Sequence, residues 1–202
     1  MNLKKPERRF EQATQAIVNI KNSKTVNEYE DNWRSFLTSA NGVYSTLEQA
    51  MKGSERTEQA FKRLKAERKK DPLMQYLHQA RNAEEHSIQE VTETVPGATT
   101  IGGGGPEFSK AFRASFSINN GVLGGVGGNP PEISPLDGKP VLIKQIGPQV
   151  KLKSVTNYGK KYPVPREHKG KEIEIPTPIE AAEFALSYLS EVLEKVRKIE
   201  AR

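Results

Sequence analysis

The chain contains no cysteine, which removes disulfides and thiolate metal sites from consideration. No stretch of it approaches the ~20 consecutive apolar residues needed to cross a bilayer. Its opening, Met1-Asn2-Leu3-Lys4-Lys5-Pro6, turns polar at once and has no apolar core of the secretion-signal kind. Together these absences lead to the expectation of a soluble, cytoplasmic protein with no membrane partner. Hydrophobic residues make up only 35% of the chain, so the core should be modest and dimerisation would extend it. Histidine is scarce, with three in 202 residues. No G-x-x-x-x-G-K-[S/T] phosphate loop occurs, and the run Gly102 to Gly105 leads into Pro106, not into a helix with a free N-terminus. That run reads as a loop or hairpin tip, and no cofactor is expected.

What the chain does have is basic charge, with a net +6 and a pI near 9.4, which suits a polyanionic partner such as RNA. The charge is clustered. Lys139, Lys144, Lys151, Lys153, Lys160, Lys161, Arg166, Lys169 and Lys171 are opposed only by Glu167. A second cluster, Lys62, Arg63, Lys65, Arg68, Lys69 and Lys70, leads straight into the next helix.

Residues 1–95 read as an antiparallel helical bundle. Val26, Tyr29, Trp33, Phe36, Leu37, Ala40, Val43, Tyr44, Leu47, Ala50 and Met51 step by three and four, the mark of a helix with one buried face. Gly53 should end that helix and Ser54 cap the next. Asp71 and Pro72 are a good cap and first residue for a fourth helix, with Leu73, Tyr76, Leu77, Ala80, Ala83, Ile88 and Val91 on its core side. From Pro96 the pattern changes. Gly and Pro punctuate short strand-like pieces, among them Phe112 to Ile118 turning through Asn119-Asn120-Gly121 into Val122-Leu123. Thr177-Pro178-Ile179-Glu180 is a capping box that opens a last helix. The fold class expected is therefore α+β, with residues 96–202 a Gly/Pro-rich antiparallel β region closed by a C-terminal helix. His168, amid Pro165-Arg166-Glu167 and Lys169, reads as a loop residue.

The fourth helix turns His78, Asn82, Glu85 and His86 away from its core, with Arg81 at the border. Most polar helix faces are simply solvated, but two of the three histidines lie on this one. His78 and His86 are two turns apart, yet no acidic or His cluster completes a metal site. Arg81-Asn82-x-x-x-His86 resembles the signature of the HEPN superfamily (higher eukaryotes and prokaryotes nucleotide-binding domain), in which an Arg, a polar residue and a His recur on a late helix of an all-α domain. Many members are ribonucleases of toxin–antitoxin, phage-defence and CRISPR systems. The resemblance implies a catalytic trio of Arg81, Asn82 and His86, a homodimer, and an antitoxin or other regulatory protein as a further partner.

The chemistry is coherent with those residue types. Metal-free RNA cleavage needs a base for the ribose 2′-hydroxyl, a cation for the crowded phosphorane and a proton for the leaving 5′-oxygen. His86 has the pKa for proton transfer and Arg81 the fixed charged fork, while Asn82 orients the phosphate or His86. The products are a 2′,3′-cyclic phosphate and a 5′-hydroxyl. His78, Glu85, Lys69 and Lys70 stand as substrate-binding candidates near the same face. A five-residue spacing puts Arg81 and His86 about 140° apart on a straight helix, so two motif helices meeting across a twofold axis would aim them better than one. Two other classes stay open: a non-catalytic HEPN-like nucleotide- or RNA-binding module, with Arg81 or His86 tied to Glu84 or Glu85, and an assembly module whose motif is coincidence.

Overall fold

The computed structural model of the chain describes all residues except 87–89, 103, 120, 121, 128, 175, 201 and 202, and describes His86 by its backbone alone. Among the described residues five helices form in chain order: α1 (Lys4–Asn22), α2 (Val26–Ala50), α3 (Glu55–Lys70), α4 (Pro72–His86) and α5 (Pro178–Glu200). Their apolar stripes make one core. Ile17, Ile20, Trp33, Phe36, Leu37, Val43, Leu47, Leu73, Tyr76 and Leu189 are all buried, and the Trp33 and Phe36 rings stack at 5.6 Å. The expected three–four spacing thus faces inward, and Trp33 is a core residue with 1% exposure. Ile88, expected on the same side of α4, lies outside the described residues.

Local signals account for several helix ends. The Thr25 hydroxyl accepts from the Glu28 amide at 3.2 Å and caps α2. Gly53 takes φ +101° just past the end of α2, a left-handed conformation that favours glycine. Thr177 and Glu180 form the reciprocal box at the start of α5, with the Thr177 amide donating to Glu180 Oε2 at 2.8 Å and the Glu180 amide to Thr177 Oγ1 at 3.3 Å. Ser54 precedes α3 but makes no side-chain cap. The neighbouring Thr57 hydroxyl donates instead to the Met51 carbonyl at 2.7 Å and so ties the α2–α3 turn.

Among the described residues twelve short strands follow the first four helices: β1 (Thr92–Val95), β2 (Ala98–Ile101), β3 (Phe112–Ser115), β4 (Ser117–Asn119), β5 (Val122–Gly124), β6 (Glu132–Pro135), β7 (Ile143–Ile146), β8 (Gln149–Leu152), β9 (Val155–Asn157), β10 (Lys160–Tyr162), β11 (Glu167–His168) and β12 (Lys171–Glu172). The first eight pair in nested order, β1 with β8, β2 with β7, β3 with β6 and β4 with β5, so the chain runs out and returns along one interrupted hairpin. Its tip joins Asn119 to Val122, and the expected Asn120-Gly121 turn there lies outside the described residues. β9–β10 and β11–β12 are separate antiparallel hairpins.

The chain divides into two compact units, Met1–Glu93 with Lys151–Arg202, and Thr94–Val150. The basic run between Lys139 and Lys171 is shared between them. In the first unit α5 packs on α1 and α2. In the second, none of the described hydrophobic side chains is buried.

Candidate active site

The candidate site is carried by α4, whose start is fixed with unusual redundancy. Asp71 caps it, accepting from the Met74 amide at 2.9 Å, and Pro72 occupies the first position, where an N–H would have no helical partner. The same carboxylate accepts from the Lys169 amide at 2.8 Å and from His168 Nδ1 at 3.0–3.1 Å. His168 is therefore not a loop residue. It sits in β11, buried against Phe184 and Tyr188, and fastens the β11–β12 hairpin to the head of α4. Its sequence neighbours are polar, so only its distant partner explains its burial.

Towards the C-terminal end of α4, Ala80 and Ala83 face the core while Arg81, Asn82 and Glu85 face outward. Arg81 forms an ion pair with Glu85 one turn on and donates to Asn82 Oδ1 at 3.2 Å. Its Nε is buried without a hydrogen-bond partner. Glu84 points the other way and accepts from Arg34 of α2 at 2.8 Å. His86 is the last residue of α4, but its side chain lies outside the described residues. Arg81, Asn82 and Glu85 are thus brought together.

His78 stands two turns earlier and has a different setting. Its Nδ1 meets Asn41 Oδ1 of α2 at 3.0 Å. Burial pushes its pKa down to about 4, and Arg68, Arg81 and Lys69 push it the same way. Arg68, from α3, holds its guanidinium 4.3 Å from the Tyr44 ring centroid. Arg68, Lys69 and His78 line a groove of about 430 Å³ between α2, α3 and α4. Lys69 and Lys70 are both exposed at the end of α3, and of the two only Lys69 lines that groove. The sequence offers His78 as a substrate-binding candidate and singles out neither Arg68 nor Asn41, because their meeting depends on how three helices pack.

Among the described residues no three His, Asp or Glu side chains come together as metal ligands. None of the described helices is long and apolar enough to cross a membrane. The chain matches no protein-family model, no curated protein and no solved structure.

The Arg81–Glu85 pair decides what this surface can do chemically. An i,i+4 ion pair on a half-exposed helix face is worth about 0.2–0.5 kcal/mol. A charge-assisted, bidentate bond to a phosphate is stronger. Glu85 therefore holds the Arg81 guanidinium by a contact weaker than a bidentate bond to an oxyanion.

Proposed function

We propose that the protein is a metal-independent endoribonuclease, with Arg81, Asn82 and His86 at the end of α4 carrying the reaction. The observation that carries this reading is the state of Arg81: a guanidinium on the outer face of α4 whose two terminal nitrogens are held only by the weak partners Asn82 and Glu85. Such a fork is aligned in advance and costs little to release, which is what stabilising a phosphorane requires. Asn82, beside it, both donates and accepts. His86 takes the 2′-hydroxyl proton or returns one to the 5′-oxygen, and the spacing of five favours supplying Arg81 and His86 to one phosphate from two copies of the chain. A homodimer and an antitoxin or other regulatory partner belong to the same proposal through the HEPN resemblance, and a cytoplasmic setting is part of it.

The test is a labelled RNA incubated with purified protein in chelator, with product ends mapped. Cleavage to 2′,3′-cyclic phosphate and 5′-hydroxyl ends should persist in EDTA. His86→Ala should abolish it with the fold intact, and Arg81→Lys should reduce it at least about 100-fold, because a point-like ammonium does not reproduce the planar fork. Cutting that dies with chelator, or survives His86→Ala undiminished, would defeat the mechanism. The same Arg81–Glu85 pair favours one second reading, a nucleotide- or RNA-binding module without cleavage, in which the pair is a structural clasp. RNA binding by a well-folded protein that never cuts would select it.

A further inference from the structure

We infer that the groove between α2, α3 and α4 is a nucleotide site that takes a phosphate group, with Arg68 as its anchor and His78 as a second contact. Arg68 is half-buried yet makes no hydrogen bond or ion pair among the described residues, the Tyr44 ring being its one close support. Glu48, the acid whose charge acts on it, is paired with Lys65 at 3.0 Å. Charges withdrawn from water are normally paired, and contact with a ring face leaves the in-plane N–H donors of a guanidinium free for an oxyanion. An anion from outside the chain would complete the set.

The neighbourhood agrees in shape and charge. Asn41 Oδ1 can only accept, so the 3.0 Å contact sets the His78 proton on Nδ1 and leaves Nε2 open. The charged groups around this imidazole are Arg68 and Lys69 on α3 and Arg81 on α4, with Glu48 of α2 already paired on the groove wall. Cations thus outnumber free acids, and an empty groove keeps His78 neutral. A bound phosphate reverses the local field, so binding should draw a proton onto Nε2 and turn it into a donor. Tyr44 lines the same groove and is almost wholly buried. A volume of about 430 Å³ falls within the range of small-ligand sites, with room for a nucleoside monophosphate. The ribonuclease proposal contributes only the identity of the ligand. His78 lies about 12 Å along α4 from His86, where it would hold a neighbouring phosphate of a strand, and occupancy does not require cleavage.

The experiment follows the His78 imidazole by NMR in the full chain while inorganic phosphate, AMP or a short oligoribonucleotide is added. AMP and the oligonucleotide should each raise the His78 pKa from about 4 by a unit or more. Arg68→Met should weaken AMP binding at least about tenfold, as expected for loss of a charge-assisted phosphate contact. Arg197→Met, which removes an equal charge from an exposed pair with Glu7, should leave binding unchanged. No shift with any probe, or equal loss in Arg197→Met, overturns the site. Inorganic phosphate binding as tightly as AMP overturns the nucleotide assignment. If Arg68→Met does not fold, the wild-type titration alone decides. RNA that stays uncut while Arg68-dependent binding persists would remove the ribonuclease proposal and leave this one standing.

Discussion

Asp71 concentrates more structural work in one side chain than any residue of the candidate trio. Its carboxylate caps α4 and also receives the Lys169 amide and the His168 ring, all three within 3.1 Å. Removing it takes away a cap, worth about 1 kcal/mol, and strands donors at a buried position, each costing about 1–3 kcal/mol. Asp71→Ala should therefore destabilise the protein by at least about 3 kcal/mol. Thr177→Ala, at the exposed capping box of α5, should cost about 1 kcal/mol. Urea denaturation of the two variants side by side checks the difference, and equal losses would mean that the His168 and Lys169 contacts add nothing to the cap. Half of this residue was legible in the sequence. A short acid before a proline announces a helix start, whereas nothing near Asp71 announces a histidine 97 positions away.

At the scale of elements, what could be read was what repeats locally. The apolar steps of α2 and α4 follow from 3.6 residues per turn, and Phe36, Leu47, Leu73 and Ala80 are fully buried as that period requires. Strands were harder, because their partners are far off in sequence: Ala98 pairs with Ile146 and Phe112 with Pro135. The glycine and proline punctuation marked breaks between strands but not which strand follows which, so the nested order appeared only in the fold. The interrupted hairpin has a further consequence. With no described hydrophobic side chain buried between Thr94 and Val150, the core owes that segment nothing, and a two-stranded ribbon is marginal alone. Replacing residues 96–148 by a short turn between β1 and β8 should leave a helical unit that unfolds cooperatively, with a midpoint within about 5 °C of the full chain, the change expected for roughly 1 kcal/mol. Loss of cooperative unfolding would contradict that assignment of the core.

For the molecule as a whole, the candidate site was legible as residue types on one helix and not as a constellation. Arg81 and Asn82 meet because they are neighbours, and Glu85 joins them because it is one turn away. Arg68 and Asn41 reach His78 only through the packing of α2 and α3 onto α4. The remaining gap is geometric, since the spacing that brings Glu85 to Arg81 carries His86 about 140° around a straight helix. In the ribonuclease we propose, a twofold dimer would close it by letting each phosphate meet Arg81 of one copy and His86 of the other. Mixing two inactive proteins, Arg81→Ala and His86→Ala, tests that claim most directly. After subunit exchange, heterodimers should regain one intact site, and RNA cleavage should reappear in EDTA at up to about a quarter of the wild-type rate for statistical pairing of site-bearing copies. A mixture as silent as its components, in a protein whose wild type cuts and whose subunits demonstrably exchange, would contradict the shared site.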